Sequence, residues 1–278
     1  MSLKNTKPMA MDLRSKLNNS GLLGDNLLIR RSSKEAVQAL MEMVSPVATE
    51  HPLVRIGGPA DGGYLVPDDL QGISALFSPG VADTADFEAD FASRGVPCYL
   101  ADFSVDGPPF NLPLFHFEKK FLGVRSEGNT VTLDDWVARH APAGNDLILQ
   151  MDIEGAEYEV LLSTEQSTIQ RFRIIVLEAH GLQAMWQPQG LRLIKLMFER
   201  LLLHFDVVHL HPNNCLAPQG FGEVLVPPVL EFTFLRKDRA KTRSPVAELP
   251  HPLDRNNVPW LKNCDLPACW YRKAQRTT

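Results

Sequence analysis

The chain has 278 residues, 44% hydrophobic and 22% charged, with a net charge of −5. That is enough apolar material for one large core with extensions, while the negative balance argues against general nucleic-acid binding, which needs a broad basic face. No apolar run approaches the ~20 residues of a membrane span, and the start, "MSLKNTKPMAMDLRSKL", lacks the continuous apolar segment of a signal peptide.

Residues 1–46 read as a helical N-terminal extension, in which "SSKEAVQALMEMV" carries serine caps and helical apolar spacing. "RIGGPADGGYLVPDDL" follows, rich in Gly, Asp and Pro, with a short β-like piece at Tyr64 to Val66. Strand and helix signals then alternate. "ISALFSPGV" is a strand closed by a Pro-Gly turn, and "DTADFEADFASRG" is an amphipathic helix with Phe87 and Phe91 on one face. "VPCYLADFS" is a second strand ending at Asp102, and "LPLFHFEKKFLGV" holds a third. "TVTLDDWVARHA" is a Thr-capped helix; "NDLILQMD" is the fourth strand, "GAEYEVLLS" its helix, and "FRIIVLEAH" the fifth strand. The spacing in "QGLRLIKLMFERLLLHF" predicts a long helix covering the sheet with Leu193, Ile194, Met197, Leu201 and Phe205, and placing Lys195 and Glu199 on its solvated side. "FDVVHLHPNN" and "PPVLEFTFLRK" are strands six and seven, and a Pro-, Asn- and Arg-rich extension, residues 239–278, packs on the domain.

This alternation predicts an α/β fold: a Rossmann-like, seven-stranded, mostly parallel sheet with helices on both faces, closed by a terminal antiparallel hairpin. Ligands of such sheets bind at the carboxyl ends of the strands. Gly80 stands in the first strand's turn and Asp102 ends the second, the order of a nucleotide site in which the acid accepts from ribose hydroxyls. In "DLILQMDIEGAEYEVLL" a covered strand runs straight into Asp152, Glu154 and Gly155. A helix cap accounts for one acid, and Glu157 could fill the helix's first turn, but three acids in six residues exceed what capping needs. His180 ends the fifth strand, and His209 and His211 share a face of the sixth. If strands four, five and six end together, Asp152, Glu154, His180 and His211 can hold Mg²⁺ or Mn²⁺ in mixed coordination. Trp186 is either a stacking surface for a ring or a loop anchor. Cys98, Cys215, Cys264 and Cys269 are widely spread with no CxxC pair, which suits reduced thiols in a cytoplasmic protein.

The run "LQMDIEGAEYEVL", with "TLDDW" before it and "IIVLEAH" after it, resembles the signature of the FkbM-type S-adenosylmethionine-dependent methyltransferases, a strand ending in Lys-x-Asp-x-Glu-Gly-x-Glu. Gln150 stands where that signature has lysine, and the glycine-rich motif is reduced to "SPGV". The resemblance, over roughly residues 55–235, implies a methyltransferase domain (47–238) acting on a hydroxyl of a sugar, glycolipid or other small molecule. It also implies a cofactor site lined by Ser78, Gly80, Asp102 and Asp152. Hydroxyl methylation needs a base or metal, for which Asp152, Glu154 and His180 are the catalytic candidates. The other readings are a methyltransferase-fold protein that binds without turnover, and an NAD-dependent oxidoreductase, against which the missing G-x-G-x-x-G counts.

Overall fold

A computed structural model describes residues 30–141, 144 and 146–271; the expected extension before residue 30 lies outside them. Helix α1 (Lys34–Met43) is capped by the Ser33 side chain, which accepts from the Ala36 N–H. A hairpin of Leu53–Ile56 and Tyr64–Pro67 follows, so the glycine-rich loop of residues 57–63 is its tip. The main sheet comprises β1 (Ala75–Pro79), β2 (Cys98–Ala101), β3 (Phe115–Glu118), β4 (Leu147–Met151), β5 (Phe172–His180), β6 (Phe205–Pro212) and β7 (Val229–Arg236). Helices α2 (Asp86–Ser93), α3 (Leu133–His140), α4 (Glu157–Ser163) and α5 (Pro188–Leu202) lie in the connections.

The strand order is β3-β2-β1-β4-β5-β7-β6, with β7 antiparallel to both neighbours. This is the predicted Rossmann-like sheet, mostly parallel with an antiparallel end. Two apolar layers cover it. On one face Phe77 meets the Trp136 ring edge-on at 5.1 Å, in a core that includes α3, α4 and α5. On the other, Leu76, Ile148, Ile174 and Leu235 form one row across β1, β4, β5 and β7, beneath Phe87 and Phe91 of α2 and Tyr64 of the hairpin.

The next rows on this second face turn polar. Two residues on come Ser78, Gln150, Val176, Thr233 and His209; beyond them Glu178, Glu231 and His211 face one another across β5, β7 and β6. Strand alternation with period two places all of them on the same side. The face is apolar at the amino edge of the sheet and ionisable at the carboxyl edge, where a ligand belongs.

Helix α5 departs from its predicted facing. Ile194, Met197, Phe198 and Leu201 are buried, Leu193 is 44% exposed, and Phe205 already belongs to β6. The helix presents Phe198 to Phe232, with ring centroids 4.7 Å apart, and that contact sets its rotation. Lys195 and Glu199 pair on the solvent side at 3.4 Å. Leu201→Ala should cost about 2–5 kcal/mol through lost transfer energy and a cavity, read by denaturant titration; unchanged stability would contradict this packing. No helix among the described residues is long and apolar enough to cross a membrane.

Candidate functional site

A cleft of about 670 Å³ opens at the carboxyl ends of β1, β2 and β4, within the size range of small-molecule and cofactor sites. Its walls include Gly80, Ala82, Asp102, Ser104, Phe121, Val124, Arg125, Asp152 and Glu154. Asp102 is held rigidly: Oδ2 accepts from the Ala82 N–H at 3.0 Å, and Oδ1 accepts from the Ser104 N–H and hydroxyl, both at 2.7 Å. Gly80 has φ +87°, and a Cβ there would fall 1.5 Å from the carbonyl oxygen of Asp152. Glycine is therefore required so that the turns after β1 and β4 can touch.

Ser78, also expected in the cofactor wall, lies beneath the cleft instead. Strand alternation turns it under α2, where it contacts Glu88 and Gln150. Phe121 and Val124 are cleft residues that sequence reasoning missed. Both are about half exposed and sit where the third strand's boundaries were poorly marked.

The turn after β4 brings Asp152, Glu154 and His180 together. His180 Nε2 is 3.7 Å from Asp152 Oδ1 and 3.5 Å from Glu154 Oε2. One ligand atom from each of the three residues lies within 4.8 Å of the other two. Glu154 holds φ +56°, a conformation rare for a residue with a side chain. Such local strain is characteristic of functional turns.

The helix-start duty falls to Glu157 rather than to Asp152. The Glu157 side chain is fully buried; its Oε1 accepts from the Ile153 and Gly155 N–H groups and contacts His180 Nδ1 at 2.9 Å. With Nδ1 turned to Glu157, His180 turns Nε2 toward the two other acids, the placement of a ligating histidine once that nitrogen gives up its proton to a cation. The Tyr158 hydroxyl donates to the His180 carbonyl at 2.6 Å. Helix α4 thus fixes both ends of the residue.

His211 is not part of this group. Strand β7 inserts between β5 and β6, so His211 faces Glu231 rather than His180, and its Nδ1 is 3.7 Å from Asp254. His209 contacts Asp254 Oδ1 at 2.8 Å. Trp186 is the loop anchor of the two readings: its Nε1–H donates to the Gln219 carbonyl and its ring packs edge-on against Phe221. The four cysteines are free.

Behind the cleft stands a row of buried acids. Asn213 donates to Glu178 at 2.8 Å, and Asn257 donates to both Glu231 and Asp61, at 2.6 and 3.0 Å. Among the described residues no lysine or arginine pairs with Asp152, Glu178 or Glu231. At the opposite edge of the sheet, by contrast, Asp146 is matched by Arg173 at 2.6 Å and Arg236 at 2.8 Å.

The unmatched acids hold protons. Burial, then Glu178, raise Asp152 to about 9, with His180 pulling the other way. Burial raises Glu178 to about 7 against the Asn213 hydrogen bond, and burial raises Glu231 to about 8 against His211. Burial works to lower His180, but the Glu157 hydrogen bond and the surrounding carboxylates lift it to about 9.

Residues 88–202 match the family model described as the methyltransferase FkbM domain. That segment is similar to the FkbM methyltransferase domain. The matched segment runs from α2 through α5 and includes Asp102, Asp152, Glu154 and His180. No curated protein matches the chain. Among solved structures, a protein from Pyrococcus horikoshii described as an RNA methyltransferase aligns at 10% identity, over 73% of this chain and 98% of that one, with a TM-score of 0.30. A likeness at that level carries no inference about substrate.

Proposed function

We propose that this protein is a methyltransferase that uses S-adenosylmethionine to methylate a hydroxyl of a small molecule, sugar or glycolipid, and that residues 47–238 form its catalytic unit. The observation that carries the reading is the juxtaposition of the 670 Å³ cleft, walled by Gly80 and Asp102, with Asp152, Glu154 and His180 at its rim. The cofactor supplies an electrophilic methyl group when bound. Asp102, with its rotamer fixed by Ala82 and Ser104, retains acceptor capacity for ribose hydroxyls. Phe121 and Val124 offer an apolar wall for a base.

Asp152, Glu154 and His180 suit a divalent cation such as Mg²⁺ or Mn²⁺: two carboxylates, one imidazole and a carboxylate behind the imidazole. Where no cation enters, the Glu157 hydrogen bond and the surrounding carboxylates keep His180 protonated, with its value lifted to about 9, so Nε2 can take the acceptor's proton only above that range. The C-terminal residues pack on this unit: Asp254 contacts His209, Asn257 donates to Glu231 and Asp61, and Trp270 is buried in the core.

Calorimetry with S-adenosylhomocysteine, NAD and NADP tests the cofactor; only the first is expected to bind. Asp102→Ala should weaken it by about 1–3 kcal/mol, the cost of losing charge-assisted hydrogen bonds, and unchanged binding by a folded variant would sink the assignment. With a methyl-labelled cofactor and a panel of hydroxyl acceptors, Asp152→Asn and Glu154→Gln should lose turnover while melting no lower. If both melt lower yet turn over normally, the stretch is only a helix start.

A further inference from the structure

A second, much smaller chamber shares Gly80 and Asp152 with the cleft. It measures about 20 Å³, is lined by Asp61, Tyr64, Thr84, Glu88 and Gln150 among others, and has room for one water molecule. A chain of hydrogen bonds leads to it from α2. Glu88 Oε1 lies 2.5 Å from Ser78 Oγ, and Ser78 Oγ lies 2.6 Å from Gln150 Oε1. Gln150 Nε2 donates to the Tyr64 hydroxyl oxygen at 3.2 Å. All four side chains are buried.

The direction of this chain follows from counting protons. A serine hydroxyl carries one. Ser78 can donate to Gln150 only if Glu88 is a carboxylic acid that donates to Ser78. Among the described residues no lysine or arginine pairs with Glu88, which is faced by Asp86 on its own helix, by the Cys98 thiol on β2, and by Asp61, Tyr64 and Asp152 around the chamber; the nearby cation, Arg55, acts on Tyr64. Burial raises the Glu88 carboxyl to about 7, against the Ser78 hydrogen bond. In this state Tyr64 accepts from Gln150, which leaves its own proton free for the chamber. Asp152 stands on the chamber wall, and its Oδ1 is buried without a hydrogen-bond partner.

Loss of the Glu88 proton reverses every link. Ser78 then donates to Glu88, the Gln150 amide turns over to donate to Ser78, and the Gln150 oxygen draws the Tyr64 proton out of the chamber. One proton leaves to solvent and no covalent bond other than that O–H changes.

We propose that Glu88, Ser78, Gln150 and Tyr64 are positioning residues for Asp152: the direction of their single hydrogen-bond chain decides whether Asp152 receives a hydrogen bond through the chamber water. The value of this to catalysis rests on the function proposed above, but the chain itself does not.

The test is side-chain NMR of the full-length protein without cofactor, carrying Glu178→Gln to remove the neighbouring carboxyl that titrates in the same range, from about pH 5.5 to about pH 8.5. It follows the Gln150 amide, the Tyr64 ring and the Asp152 carboxyl carbon. All three are expected to step at one shared midpoint near 7, the Glu88 value. Glu88→Gln, whose amide keeps donating to Ser78, should abolish the step at all three. Ser78→Ala should silence Gln150 and Tyr64 by cutting the chain, and Tyr64→Phe should remove the step at Asp152 while leaving it at Gln150. Silent Gln150 and Tyr64 signals in the Glu178→Gln protein, a step that survives when Glu88→Gln is added to it, or an Asp152 step that survives when Tyr64→Phe is added to it would each overturn the proposal. Failure of S-adenosylhomocysteine to bind would count against the cofactor assignment and leave these readings standing.

Discussion

Gly80→Ala is expected to lose roughly twice as much stability as Gly155→Ala and to abolish binding of S-adenosylhomocysteine. Both glycines have positive φ, +87° and +104°, so each alanine pays a conformational cost of about 1–2 kcal/mol. Only at Gly80 does the added Cβ meet backbone, 1.5 Å from the Asp152 oxygen and 2.6 Å from its carbonyl carbon. Backbone cannot rotate aside as a side chain can, and forced overpacking adds about 1–3 kcal/mol, occasionally more. The turns after β1 and β4 are also tied directly, since the Asp152 N–H donates to the Pro79 carbonyl at 3.3 Å, while the Gly80 N–H ties the first turn to β2 through the Ala101 carbonyl at 2.9 Å. Relieving the clash therefore moves Asp152, and with it the cleft wall. At Gly155 nothing lies within 4 Å. Denaturant titration and calorimetry on both variants decide the matter; equal losses would show that the approach of the two turns is not what Gly80 is for.

The melting temperature of the ligand-free protein should be highest near pH 5 and fall steadily toward pH 8, the reverse of what an ordinary set of surface carboxylates would produce. Glu178, Glu231 and Glu88 titrate near 7, 8 and 7 in the folded protein, against a usual glutamate value of about 4.3 in the unfolded chain. Above that value the unfolded state has released protons that the native state still holds, so raising the pH favours unfolding. His180 acts in the same sense: its folded value of about 9 is above the histidine norm, so its contribution is full below about 6.5 and is lost as the pH rises through the folded value. Asp254 acts oppositely. Burial works to raise it, but His209 and His211 hold it well below the carboxylate range, so its contribution is lost only at the acid end. Glu178→Gln and Glu231→Gln should each flatten the alkaline fall and melt above wild type at pH 8, because the amide has no charge to desolvate. Added Mn²⁺ should recover wild-type stability at pH 8 by binding the native state alone. A wild-type curve that is flat or rising between pH 5 and pH 8 would show that the row of acids is already neutralised within the fold.

Much of the architecture was legible in the chain because its signals are local. Apolar runs, helical spacing and the βα alternation are read within a window of a dozen residues, and they placed all seven sheet strands, Asp102 at the end of β2, and Asp152 at the end of β4. The same local reading failed where facing depends on a partner. Leu193 and Phe198 are equally apolar, and only the contact of Phe198 with Phe232 decides which is buried. The resemblance put Ser78 in the cofactor wall, yet pleat alternation set it under α2.

The chemistry at the carboxyl edge divides in the same way. Sequence alone determined that two acids and a glycine follow a covered strand, and that His180 ends the next one. Tertiary structure decided that Glu157 orients His180, that β7 inserts between β5 and β6 and so separates His211 from the group, and that Asp254 and Asn257 return from a tail with no regular pattern to meet His209, Glu231 and Asp61. The physical reason is that pattern along a chain encodes which side of its own strand a residue faces. The lateral order of strands and their register, which set which charges become neighbours, depend on contacts between segments far apart in sequence.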